Sequence, residues 1–103
     1  MYSIMEIYKS ITTADTFTLI SKGGASSGNI NKIIITNHDN SDSCVVIIKL
    51  NDGGGSPVIH VINETNIPAR ASLVLEDGIK FDSSKYKLEA QTLSAVDITI
   101  IVE

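Results

Sequence analysis

Apolar and polar residues alternate along most of this chain with a period of two, the period of a β-strand that buries one face. The pattern is cleanest at the end, where Val96, Ile98, Ile100 and Val102 fall on one side and Asp97, Thr99 and Ile101 on the other. Leu73 and Leu75 likewise oppose Ser72, Val74 and Glu76, and Tyr86, Leu88 and Ala90 oppose Lys85, Lys87 and Glu89. Phe17, Leu19 and Ser21 alternate with Thr16, Thr18 and Ile20. Residues 2–9 alternate loosely and read as a first strand or as an arm. Residues 30–37 depart from the rule: Ile33, Ile34 and Ile35 follow one another without a break, which predicts a strand buried on both faces.

The segments between are rich in turn formers. KGGASSGN at 22–29 is too small and flexible for a regular element and reads as a loop. HDNSDS at 38–43 is expected to reverse the chain, so that 30–37 and 44–50 make a central hairpin. Asp52, Gly53, Gly54 and Gly55 permit the positive φ of a second reversal, with 58–63 as the returning strand and Pro57 at its entry. Asp77-Gly78 marks another turn, leading to Ile79 and Phe81. There is no helical period, internal repeat or linker. About eight short strands with turn signals roughly every 8–12 residues predict an all-β chain. Residues 1–103 are expected to form a single small antiparallel β-sandwich, either jelly-roll or immunoglobulin-like.

Composition narrows the function classes. A chain of 103 residues has room for one modest core. With 5% aromatic residues and no Trp, that core must come from Ile, Val and Leu. A net charge of −4 and singly scattered Lys and Arg weigh against nucleic acid, whose binders draw their affinity from clustered basic groups. No apolar run approaches the ~20 residues that span a bilayer, and the Met1 segment lacks the basic start and apolar centre of a signal peptide. The lone Cys44, set in SCVVIIKL, reads as a small buried hydrophobe.

Candidate chemistry is sparse. His38 stands beside Asp39 and Asp42, but one imidazole and two loop carboxylates do not make a metal ligand set. A polar turn in which Asp39, Asn40 and Asp42 bond local amides accounts for them. The same loop lacks the glycine and distal glutamate of an EF-hand. His60, between Ile59 and Val61, is expected on a solvent face. Ser26, Ser27, Ser83 and Ser84 have no identifiable base, and the glycine runs lack the tail of a phosphate loop. No catalytic, metal or cofactor-binding residue is assigned, and the chain is expected not to be an enzyme.

Three stretches carry a resemblance. IIITNHDNSDSCVVIIKL, then NIPARASLVLEDGIKF, then YKLEAQTLSAVDITIIVE resemble, in that order, the small β-sandwich virion proteins of tailed bacteriophages. In that pattern an Ile-Pro-Ala turn opens a strand of alternating Leu, an acidic-Gly corner follows, and a strand starting near Tyr86 pairs with the terminal one. The resemblance covers most of the chain from Ile30 onward. It implies a non-enzymatic structural protein, as a capsid decoration or cement subunit or a neck or tail subunit. Its implied partners are the major capsid protein, portal, neck or tail proteins and further copies of itself. The implied location is the virion, assembled in the host cytoplasm.

Two surfaces are candidates for such contacts. Sheet edges can accept a strand from a neighbour. Tyr2, Ile4, Met5 and Ile7 are more apolar than a free terminus needs and are the candidate interface residues. From another class, a carbohydrate- or peptide-binding sandwich module would present exposed rings for stacking, and Tyr2, Tyr8 and Tyr86 are few and dispersed.

Overall fold

The chain is one long antiparallel ribbon rolled onto itself. The computed structural model describes residues 7–23, 29–54, 58–76 and 78–103. Its strands are β1 (Ile7–Ile11), β2 (Thr16–Ile20), β3 (Asn29–Ile30), β4 (Ile33–Asn37), β5 (Cys44–Asn51), β6 (Ile59–Ile67), β7 (Ser72–Leu75), β8 (Ile79–Lys80), β9 (Lys87–Thr92) and β10 (Ile98–Val102). Each strand of the first half pairs antiparallel with its counterpart from the second: β1 with β10, β2 with β9, β3 with β8, β4 with β7 and β5 with β6. Rolling this ribbon adds two further pairings, β10 with β4 and β9 with β5.

The result is a front sheet ordered β1-β10-β4-β7 and a back sheet ordered β2-β9-β5-β6. This is an all-β antiparallel sandwich, and its winding is that of a jelly roll, which settles the connectivity that the strand pattern left open. Eight strands build the two sheets, and the short β3 and β8 pair apart from them.

One aliphatic core lies between the layers. Ile11, Ile33, Ile35, Ile98, Ile100 and Val102 come from the front, and Val46, Ile48, Leu50, Ile62, Leu88 and Ala90 from the back. Val96, Ile98, Ile100 and Val102 are all buried, as the alternation at the C-terminal end predicts. Cys44 is buried among these side chains, as its sequence setting indicates.

The hairpin expected from 30–37 and 44–50 does not form, because β4 belongs to the front sheet and β5 to the back. The intervening loop crosses between the layers instead of turning within one. Asn37 makes the crossing possible. Its fully buried side chain donates from Nδ2 to the Asp42 carbonyl at 2.9 Å and to the Ile67 carbonyl at 3.0 Å. Its Oδ1 accepts the Asp39 amide at 2.9 Å. One amide thereby ties a front strand, the crossing loop and the edge strand of the back sheet. Similarly, β9 and β10 are successive but lie in different sheets, so the pairing through a short turn that the resemblance implied is replaced by β10 with β1 and β4.

Candidate interaction surface

In a two-layer sandwich each strand sends every second side chain outward, so the outer faces follow directly from register. On the front sheet, Tyr8, Ile101, Ile34 and Val74 stand directly across from one another on β1, β10, β4 and β7. This row is apolar throughout. Tyr8 is 64% exposed and Val74 46%, with Ile34 and Ile101 half-buried between them. Beside it runs a second row, Ser10, Thr99, Thr36 and Ser72. Thr36 and Ser72 share a hydrogen bond at 2.9 Å, and Thr99 shares one with His38 Nε2 at 2.8 Å. Neither row contains a charge.

The consecutive Ile33, Ile34 and Ile35 are therefore not buried on both faces. Ile33 and Ile35 point into the core, while Ile34 belongs to the half-covered outer row.

The back sheet carries an ionic network among its outward side chains. Lys49 lies opposite Glu89 on one side and His60 on the other. Lys49 Nζ donates to Gln91 Oε1 and Asn51 Nδ2 to Glu89 Oε1, both at 3.1 Å, and Lys87 Nζ is 3.3 Å from Glu89 Oε2. Glu89 is outward-facing yet only 6% exposed because these neighbours cover it. Covering this face with a partner would strip water from an ionic network, a cost that a hydrocarbon row does not carry. His60 is exposed, as expected for a solvent-facing position.

The four edges of the two four-stranded sheets carry features that oppose strand addition. On β1, Lys9 turns inward and sets its ammonium 5.5 Å from the centre of the Phe17 ring, closing the flank between the layers. The pairing of β2 slips between Thr18 and Ile20. On the opposite side, β6 slips at two places against β5, and Glu64 there has a positive φ of 39°. The front edge strand β7 has only four residues. A neighbour approaching these edges meets bends, a charge or a short template, so contact favours the faces.

The loops behave as polar turns. Asp39 Oδ2 accepts the Asp42 amide at 2.7 Å and the Ser41 amide at 3.0 Å, and these bonds hold its carboxyl below the ordinary value of 3.8. Asp82 is lowered in the same way by the Ser84 hydroxyl and amide. Arg70, at φ 62°, donates to Asn40 Oδ1 at 2.9 Å and links the Ile-Pro-Ala turn to the crossing loop. Because the folded pKa of Asp39 is depressed, its contribution to stability is full above the unfolded carboxylate pKa and is lost as pH falls through the folded value. Asp39→Ala should therefore flatten the decline in stability below about pH 4, measured by urea unfolding across an acid series.

Two recesses open on the surface. One, of about 440 Å³, is lined by Asn29, Ile30, Asn31, Gly78, Ile79 and Lys80, and another, of about 320 Å³, by Lys22, Asp52, Gly54, Ser84, Lys85 and Tyr86. Among the described residues no three His, Cys, Asp or Glu side chains converge as a metal-holding group. Of the candidate interface residues, Tyr2, Ile4 and Met5 lie outside the described residues. Ile7 opens β1 opposite Val102 and packs against the core. The outer row is the surface that the sequence pattern did not reveal. Its signal is present in Ile33-Ile34-Ile35 and Ile100-Ile101, where an apolar residue occupies a position that alternation reserves for a polar one.

No protein-family model matches the chain, and no curated protein does. The fold is found in a solved structure. The Drosophila NLP core, whose structure was described in terms of pentamer formation and histone binding, aligns with a TM-score of 0.56 at 12% identity over 94% of this chain and 94% of that one. A pentameric capsid protein from metagenomic phage sequences aligns with a TM-score of 0.49 at 14% identity, over 95% of this chain and 60% of that one. A xylan-binding domain from Paenibacillus barcinonensis gives 0.49 at 12% identity, over 90% and 64%. At 12% identity the likeness to the NLP core is one of fold.

Proposed function

We propose that this chain is a non-enzymatic structural subunit of a bacteriophage virion, acting through protein–protein contacts as a capsid decoration or cement protein or as a neck or tail subunit. The observation that carries this reading is the outer face of the front sheet, where Tyr8, Ile101, Ile34 and Val74 form an apolar row across all four strands. Such a row is of use to a chain that is covered in its working state. The reading is further supported by the resemblance of the three quoted stretches to small virion proteins of tailed phages. It also fits the jelly-roll winding, a fold that serves capsids and lectins alike. In a particle, modest contacts suffice, because each bound copy raises the effective concentration of its neighbours' surfaces.

The test is to band particles from cells that make this chain and to quantify it by mass spectrometry. The chain should accompany the major capsid protein at a fixed ratio through repeated banding. Its loss into the soluble fraction, or a ratio that drifts between preparations, would overturn the proposal.

A further inference from the structure

We propose that the recess lined by Lys22, Asp52, Gly54, Ser84, Lys85 and Tyr86 binds a phosphate monoester. Register brings its walls together. In the back sheet β9 lies between β2 and β5, with Ile20 opposite Leu88 and Asn51 opposite Lys87, so the chain leaving β2, the chain leaving β5 and the turn entering β9 meet at one end of the sandwich. Hydrogen bonds stitch them there. The Gly23 amide donates to the Ser83 carbonyl at 2.6 Å, and Lys22 Nζ donates to the Asp52 carbonyl at 2.9 Å. Three segments far apart in sequence thus hold a recess of about 320 Å³, which has room for a phosphate group with a few carbons attached.

The lining selects the ligand. Lys22 spends one of its three N–H groups on Asp52, and Lys85 is exposed and meets Asp82 only as a nearby charge. Donors are therefore in surplus. The carboxylates are taken up by their own loops: Asp52 Oδ1 accepts the Gly54 amide at 2.8 Å, and Asp82 Oδ1 accepts both the amide and the hydroxyl of Ser84. A ligand that brings acceptors suits such a surface. Two cations to one anion in the lining also make it a positive spot on a chain whose net charge is −4.

Charge distinguishes among anions. A carboxylate carries one negative charge, whereas a phosphate monoester carries about −1.5 to −2 at pH 7 with three acceptor oxygens, and so can answer both ammoniums. Lysine is moreover a point charge without the planar fork by which arginine grips a carboxylate. Tyr86 supplies the remaining wall. It is half-buried and packed against the core, and it offers an apolar surface to the organic part of the ester. The other recess places Lys80 alone beside Asn29 and Asn31 and lacks the paired charge. Because Lys22 and Lys85 are solvent-exposed, the binding is weak, with a dissociation constant of about 1–10 mM that rises with salt.

Binding is read on the purified chain, so it stands or falls apart from membership of a particle. Backbone amide NMR spectra would be recorded at low salt during titration with glycerol phosphate, and in parallel with glycerol and with sodium chloride. Glycerol phosphate should shift the amides of Lys22, Gly54, Ser84, Lys85 and Tyr86 along one saturable curve, while glycerol and chloride leave them in place. Lys85→Gln, a change at an exposed side chain, should keep the rest of the spectrum and weaken binding about fivefold. Lys80→Gln, in the other recess, should leave the affinity as it was. Shifts that fail to saturate would overturn the proposal. So would shifts that glycerol alone reproduces, which would mark a site for neutral polyols, or a loss from Lys80→Gln equal to that from Lys85→Gln, which would mark a diffuse field instead of a site.

Discussion

Ile100→Ala should lower the unfolding free energy by about 3–4 kcal/mol, seen as a large fall in the urea midpoint at constant slope. Ile100 has no exposed surface and stands on β10, flanked in register by Lys9 on β1 and Ile35 on β4. Removing three carbons there forfeits their transfer from water and leaves a hole between two layers of backbone that cannot easily collapse. For a chain of 103 residues whose total stability is of order 5–15 kcal/mol, the loss is severe. Melting should drop by about 15 °C. The neighbouring substitution Ile101→Ala removes the same atoms from the half-covered outer face and should cost no more than about 1 kcal/mol. Equal losses from the two would mean that β10 presents both faces to packed protein, and the assignment of inner and outer rows would fail.

That contrast also shows where the sequence is informative. Period two identifies β7, β9 and β10 with the correct inward residues, because burying one face leaves a mark at every second position. Layer assignment leaves no such mark. β4 and β5 look like a hairpin since both are apolar and a turn-rich loop joins them, yet a loop that reverses within a sheet and one that crosses between sheets use the same Asp, Asn and Ser. The pairing of β1 with β10, from opposite ends of the chain, leaves no local trace either. The front-face row was hidden for a related reason. A run such as Ile33-Ile34-Ile35 is equally consistent with burial by a second layer of the same chain and with exposure awaiting another. Glu89 was unreadable because its cover comes from Asn51 and Lys87, of which Asn51 lies on a different strand.

Asn37→Ala should destabilise the chain by about 2–4 kcal/mol, although it removes no hydrocarbon from the core. The substitution removes one donor from the Ile67 carbonyl, at a buried bond, and the partner of the Asp42 carbonyl and the Asp39 amide, which lie nearer to solvent. The first of these cannot exchange its lost partner for water, and it dominates the cost. Asn37→Asp separates this effect from simple loss of volume. It retains the acceptor for Asp39 but turns a carboxylate oxygen toward two carbonyl oxygens, so its folded-state pKa must lie above the unfolded one. A group raised in this way makes the folded state bind more protons, and stability then rises as pH falls toward the unfolded pKa. Between about pH 7 and pH 5, above the range where Asp39 titrates, Asn37→Asp should gain stability relative to the parent while Asn37→Ala runs parallel to it. Parallel curves for all three proteins, with a loss below about 1 kcal/mol for Asn37→Ala, would show that apolar burial alone holds the crossing loop to the two layers.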